Sequence, residues 1–259
     1  KNLIHQNNFK TLIIDAISPF KKGLINKFKF LYFFTSSFIK LIYFYLKYKP
    51  KAQIGFGGYT TILPCLIGKL LFKIDYFIHA AAFTTPMKQH RIQMKKSIET
   101  NIIGSANVAI SCMKKGVKLV YISTNFVYPG KKGSYKENDY LYPVNEYGWS
   151  KLGGESAMHI YKNTLILRIC MTEKPFVHDV AFKDVEMNFM YHEDFAKILL
   201  KLINKKGIIN IGGKKQSVFK FVKKSKKKVK PIFARKMISK NFPLKQSMNI
   251  SKLKQILNK

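Results

Sequence analysis

Short apolar runs recur along this sequence with helix-length segments between most of them, and that alternation limits the chain to a few architectures. The runs Thr11–Asp15, Gln53–Phe56, Tyr76–His79, Lys118–Ser123, Thr164–Ile169 and Ile208–Ile211 span four to six residues each. They are too short for helices and apolar enough to be buried on both sides, so they read as interior strands. Strands separated by helices pair in parallel, with helices covering both faces. The expectation is an α/β fold with a doubly wound parallel sheet. No internal repeat of 20 to 50 residues competes with it.

Composition narrows the class further. The 259 residues are 47% hydrophobic and carry 47 Lys plus Arg against 13 Asp plus Glu, a formal charge of +34. That apolar content excludes a disordered polar tail and suits one or two domains with a real core. Residues 1–75 hold 12 basic and 2 acidic side chains, and residues 195–259 hold 20 basic and none acidic. Arg91, Arg168 and Arg235 are the only arginines among these cations. Base and phosphate recognition leans on the planar guanidinium fork, so specific nucleic-acid binding is not expected. Attraction to anionic ligands and membrane surfaces is. Cys65, Cys112 and Cys170 form no CxxC pair and meet no histidine cluster, so neither a disulfide framework nor a metal site is expected. A reducing cytoplasm fits that usage. Residue 1 is Lys, and no signal peptide is legible. The chain reads as a fragment or an incomplete reading frame.

Two segments stand apart. From Phe28 to Tyr48 the sequence is strongly aromatic, yet Lys29, Ser36, Lys40 and Lys47 fall on one helical stripe. That pattern favours a core-packing or membrane-surface helix over a bilayer crossing. Beyond Gly213, the lysine-rich stretch Lys214–Lys230 reads as a solvated face or a poorly ordered extension, with a phosphate-attracting surface as the sharper alternative.

The clearest chemical signal is Tyr147-Gly-Trp-Ser-Lys151, opening a helical pattern after the strand Leu119–Thr124. Residues i and i+4 share a helix face, so phenol and ammonium converge on one pocket. A nearby cation favours the phenolate and brings Tyr147 toward acid/base work at neutral pH. A hydroxyl at the strand end, Thr124 or Ser123, is placed to hold a substrate oxygen.

Four ordered motifs then carry a resemblance. Asp75-Tyr-Phe-Ile-His-Ala-Ala-Ala82, Glu99-Thr-Asn-Ile-Ile-Gly-Ser-Ala-Asn107, Val120-Tyr-Ile-Ser-Thr-Asn-Phe-Val-Tyr-Pro-Gly130 and Glu146-Tyr-Gly-Trp-Ser-Lys-Leu-Gly-Gly-Glu155 follow one another at family-like spacing. Residues 74–258 resemble the extended short-chain dehydrogenase/reductases, in particular dTDP-4-dehydrorhamnose reductase-like proteins and the nucleotide-sugar epimerase/dehydratase group. The resemblance implies an NAD or NADP cofactor and a nucleotide-sugar substrate. It implies Tyr147 as proton donor and acceptor, Lys151 on the nicotinamide ribose and tuning Tyr147, and Thr124 on the reacting oxygen. It further implies His79, Ala80, Ala81 and Ser123 beside the cofactor, and Asn101 and Asn125 near the substrate. Where the family pattern reads Ser-Thr-Asp, this chain has Ser123-Thr124-Asn125, so a role needing a carboxylate at 125 is in doubt.

The family's GxxGxxG turn is missing, and with it the principal pyrophosphate site. Ile54-Gly-Phe-Gly-Gly-Tyr59 is the nearest candidate, but its position so close to His79 looks wrong for that role. Weak NAD(P) affinity follows. Residues 1–72, through Ile14–Gly23 and Lys49–Tyr59, instead resemble the N-terminal domain of the peptidoglycan N-acetylglucosaminyl transferase that acts on undecaprenyl-linked muramyl pentapeptide. That resemblance implies a region near the membrane, without the UDP-sugar domain. The expected organisation is a glycosyltransferase-like β/α segment over 1–73, replacing the first half of a Rossmann-like sheet, and a reductase-like domain over 74–259. The chain would then be a natural fusion or an assembly chimera. The favoured function is an NAD(P)-dependent nucleotide-sugar oxidoreductase, cytoplasmic with peripheral contact at an anionic membrane. A UDP-GlcNAc-dependent glycosyltransferase fragment and a non-catalytic basic surface-binding protein are the alternatives.

Overall fold

The computed structural model describes residues 23–48, 52–55, 74–84, 87–237 and 242–258. Five parallel strands make the central sheet: β1 (Ala52–Gly55), β2 (Tyr76–His79), β3 (Lys118–Thr124), β4 (Thr164–Ile169) and β5 (Gly207–Ile211), adjacent in that order. The register runs Gly55 opposite His79, His79 opposite Tyr121, Thr124 opposite Ile169 and Ile169 opposite Ile211. All seven residues of β3 are buried, as a strand covered on both faces requires. The strand expected at Thr11–Asp15 lies outside the described residues.

Five helices cover the sheet: α1 (Leu24–Tyr48), α2 (Gly104–Lys115), α3 (Glu146–Ile160), α4 (His192–Leu202) and α5 (Ser251–Leu257). On one face, Leu41 and Tyr45 of α1, Val108 and Cys112 of α2 and Met158 of α3 pack on Phe77, Leu119, Tyr121 and Ile166. On the other, Phe195 and Leu202 of α4 and Leu253 of α5 pack on Ile78, Val120, Leu165, Leu167 and Ile209. The side chains alternate between the two faces along each strand, which is why one run of sequence feeds two cores. This is the α/β arrangement with a parallel sheet anticipated above, with helices on both faces of the described strands.

Local signals set the ends of the helices near the site. Gly116, at φ 65°, ends α2 in the left-handed conformation that glycine adopts without strain. The Asn145 side chain caps α3 by accepting a 2.7 Å bond from the Gly148 amide. Gly154 matters for depth: a Cβ there would collide with the Asn101 carbonyl oxygen and stand 2.6 Å from the Tyr121 hydroxyl. Its absence lets α3 lie close against β3, and Lys151 comes with it.

One expectation needs correction. The stretch Lys214–Lys230 is not a loose extension. It contains short strands at Gln216–Ser217 and Lys230–Ile232 and a helix at Val218–Val222. Val218, Val222 and Val229 are buried in a third cluster with Val127, Tyr135, Cys170 and Met187, so apolar residues hidden among the lysines anchor it while Lys223, Lys224, Lys227 and Lys228 stay in water. β1 is hydrogen-bonded directly to β2, so Gly55 leaves the sheet at the same end as His79.

Candidate active site

At the C-terminal ends of the strands the sheet opens into a cleft of about 740 Å3. Such crevices are where open α/β sheets take ligands. Ile78, Ala80, Ala82 and Thr84 come from the end of β2, and Ser123, Thr124 and Asn125 from the end of β3. Tyr147 and Lys151 enter from α3, with Cys170, Met171, Phe189 and His192 closing the far wall. The three residues expected to carry the chemistry, Thr124, Tyr147 and Lys151, therefore meet on one surface.

Their electrostatics differ from the expectation. The Tyr147 phenol is pushed up to about 12, chiefly by burial, with a hydrogen bond from Thr124 pulling the other way. The Lys151 amine is pushed down to about 7 by burial, opposed by the Glu155 carboxylate. Its Nζ lies 4.3 Å from the centre of the Tyr121 ring, a cation–π seat. Loss of water around both groups outweighs their spacing: it keeps the phenol protonated and weakens the ammonium. The expected acidification of Tyr147 is thus corrected: in this structure the phenol is protonated at neutral pH.

The other predicted residues divide by strand face. Ala80 lines the cleft, as expected, but His79 and Ala81 do not. Period-two alternation turns them to the opposite face, where both are buried. The His79 Nε2 is 2.9 Å from Ser105 Oγ, and its ring is 5.5 Å from that of Tyr121. Burial, and then the Lys151 charge, lower its pKa to about 3, so the imidazole is neutral. Asn101 also stands off the wall: its side chain accepts from the Phe83 amide at 2.7 Å and donates to the Phe83 carbonyl and the Ser150 hydroxyl. These bonds tie the end of β2 to α3, so its amide is committed to structure. Asn125 does line the cleft, donating to the Gln246 carbonyl at 3.3 Å.

Ser123 opens onto a buried polar network. Its hydroxyl donates to Glu155 Oε2 at 2.5 Å, and Arg168 Nη2 donates to Glu155 Oε1 at 2.6 Å. Arg168 Nη1 donates in turn to the Tyr128 hydroxyl and the Glu137 carbonyl. Burial pushes the Glu155 carboxyl up, but the hydrogen bond from His159, the hydrogen bonds and charge of Arg168 and the bond from Ser123 together hold it down at about 2. Nothing in the sequence marks Glu155 or Arg168 as part of the site, although Glu155 follows Lys151 by one helical turn. Cys170, Met171, Phe189 and His192 likewise carry no motif and reach the cleft only through the packing of the segment after β4.

Comparison with known proteins bears on this arrangement. The model of the RmlD substrate binding domain family matches residues 69–211. The dTDP-4-dehydrorhamnose reductase of Aggregatibacter actinomycetemcomitans is 28% identical over 142 residues, covering 54% of this chain and 43% of that protein. The methionine adenosyltransferase 2 subunit beta of Xenopus tropicalis is 31% identical over 115 residues, 43% of this chain and 34% of that protein. The chain thus spans less than half the length of these relatives. Among solved structures, a hypothetical dTDP-4-dehydrorhamnose reductase from Sulfolobus tokodaii superposes with a TM-score of 0.63 at 24% identity, over 98% of this chain and 89% of that one. The Bacillus anthracis dTDP-4-dehydrorhamnose reductase, solved with NADP, gives 0.60 at 22% over 84% and 77%. These likenesses show the fold. The glycosyltransferase resemblance of residues 1–72 has no counterpart in these relatives. With more than half of its length matched, and with Thr124, Tyr147 and Lys151 gathered at the strand ends, the chain belongs to the RmlD substrate binding domain family.

Proposed function

We propose that this chain is an NAD(P)-dependent reductase acting on the keto group of a nucleotide-linked sugar. The observation that carries the reading is the convergence of Thr124, Tyr147 and Lys151 on one wall of the cleft. The small or apolar strip Ile78, Ala80 and Ala82 beside them fits a flat nicotinamide ring, and Ser123 and Lys151 would hold its polar edge. A bound nicotinamide supplies the hydride. Thr124 orients the carbonyl oxygen, and Tyr147, protonated through neutrality, gives that oxygen its proton, so the product is a hydroxyl and the phenolate recovers its proton from solvent. Oxidation of NADPH or NADH by a dTDP-4-keto-6-deoxysugar, followed at 340 nm, tests this directly. No turnover with either cofactor across keto-sugar nucleotides would end the reading.

Cofactor affinity is weak on this reading, because no GxxGxxG turn is present in the sequence. Titration calorimetry measures it. Micromolar binding of NADPH would overturn the weakness and leave the reaction class intact.

A second reading concerns α1. Leu24, Ile25, Phe28, Leu31, Tyr32, Ile39, Tyr43 and Leu46 are all more than half exposed. At 100° per residue they occupy an arc of ~120°, roughly opposite the buried Ser37, Leu41 and Tyr45. Lys29, Lys40 and Lys47 run along one border of that arc, and the helix has no acidic residue. Among the described residues, no helix is long and apolar enough to cross a membrane. An outward apolar face with a lysine margin suits an anionic bilayer surface, whereas a second copy would bring its own positive charge. Co-sedimentation with phosphatidylglycerol vesicles, weak with phosphatidylcholine and lost in Phe28→Ser/Tyr32→Ser, is the expected result. Equal behaviour of the variant, or dimerisation through α1 in analytical ultracentrifugation, would reject it.

A further inference from the structure

Lys151 and Glu155 lie one turn apart on α3 and share its sheet-facing side. Glu155 has no solvent exposure, and each of its oxygens is occupied. Arg168 grips Oε1 through Nη2 at 2.6 Å and Nε at 3.1 Å, while the Ser123 hydroxyl donates to Oε2 at 2.5 Å. Arg168 is itself pinned by the Tyr128 hydroxyl at 2.8 Å and the Glu137 carbonyl at 2.9 Å. At the rim, His159 Nε2 stands 3.5 Å from Oε1.

Two consequences follow from this geometry. A serine hydroxyl has one proton, and Ser123 gives it to Glu155, so what it offers the cleft is a pair of acceptor positions. It is thereby matched to a donor on a bound molecule, such as a hydroxyl or a carboxamide N–H, and mismatched to a phosphate oxygen. The second consequence concerns charge. The titratable groups around Lys151 are His79 from β2, Tyr121 from β3, and Tyr147 and Glu155 from its own helix. His79, Tyr121 and Tyr147 are neutral at pH 7, which leaves the Glu155 carboxylate as the negative charge in that set.

We propose that Glu155 is the positioning residue of this site: anchored by Arg168, its carboxylate fixes Ser123 as a hydrogen-bond acceptor toward the cleft and sustains the positive charge of Lys151 from one turn away. The inference rests on the proposed function only for its catalytic meaning, since the charge relation can be read without cofactor or substrate. Nothing in the Tyr-x-x-x-Lys spacing announces it. It depends on Arg168 arriving from β4, 13 positions further on, to make a buried carboxylate tolerable.

The test uses the full chain labelled with 13C at lysine Cε, the Lys151 resonance being identified by its loss in Lys151→Met. In Glu155→Gln, which keeps the shape and removes the charge, the proton affinity of Lys151 should fall about tenfold, moving its NMR titration midpoint down by about one pH unit. In Glu155→Asp, which restores the charge, the midpoint should return toward wild type. If Glu155→Gln does not fold for want of a partner for Arg168, the paired replacement Glu155→Met with Arg168→Met removes both charges at similar volume and should show the same fall. A Lys151 midpoint unchanged in whichever of these variants folds would overturn the proposal. Because no ligand is added, that failure is distinct from failure of the reductase reading, which the NADPH assay reports.

Discussion

Helices α1 and α3 break the inside-out rule in opposite directions. α3 buries Ser150, Lys151 and Glu155, whereas α1 leaves eight large apolar side chains more than half exposed. The usual pattern would put the charges in water and the apolar groups in the core. The buried polar groups of α3 have partners: Ser150 accepts from Asn101, Lys151 sits over Tyr121, and Glu155 holds Arg168 and Ser123. Fully partnered burial of this kind is the mark of a constructed site. The exposed groups of α1 share a face turned away from the described sheet, the kind of apolar patch that invites a covering partner. Both departures cost stability, and each is the part of the molecule on which a proposed role rests.

The contrast can be broken or sharpened experimentally. The largest effect should come from the cleft side of α3. Tyr147→Phe removes the proton donor and should lower turnover about 10²- to 10⁴-fold, with cofactor affinity from calorimetry unchanged. Behind it, Arg168→Met strands the Glu155 carboxylate in the core and should cost about 3–5 kcal/mol in urea unfolding. The exposed pair Arg91–Glu146 gives the control, since Arg91→Met should cost less than about 1 kcal/mol at a site that solvent screens. On α1 the two faces should separate cleanly. Leu41→Ala, in the core with Phe77 and Leu119, should cost about 2–5 kcal/mol, while Phe28→Ser should change stability by no more than about 0.5 kcal/mol and still reduce vesicle binding.

The gentlest test is pH. His79 is held neutral in the fold with a pKa of about 3, against 6.5 unfolded. Between those values the unfolded chain takes up a proton that the native chain refuses, so stability falls as pH drops below 6.5, by up to about 1.4 kcal/mol per unit. His79→Asn should flatten the chevron-derived stability profile between pH 6 and 5. Glu155, lowered to about 2, acts in a separate window: its contribution is present above about 4.5 and is lost as pH falls toward 2. A profile that His79→Asn leaves unchanged would show that the sheet face opposite the cleft is wetter than its burial indicates.

Much of this was legible beforehand for particular reasons. The runs Tyr76–His79, Lys118–Ser123, Thr164–Ile169 and Ile208–Ile211 are continuous apolar segments of strand length, and all four became neighbouring parallel strands. Thr124, Tyr147 and Lys151 converge on the cleft because helical spacing and a strand end are local rules. The lysine stripe of α1 was visible for the same reason. What failed was anything needing two distant segments at once. His79 and Ala80 look alike as candidates until the strand's neighbours decide which face meets the cleft. Val218, Val222 and Val229 disappear in a lysine count until they meet Val127 and Met187.

Local chemistry along the chain was enough to establish alternating β/α units, a Tyr–Lys pair on one helix face and a hydroxyl at a strand end, because backbone periodicity links those residues without outside help. Protonation was decided by the tertiary structure alone. Burial of Tyr147 and Lys151, the arrival of Arg168 beside Glu155 and the turning of His79 away from the cleft depend on which atoms exclude water and which charges come within reach, and such distances exist only after the sheet and helices have packed.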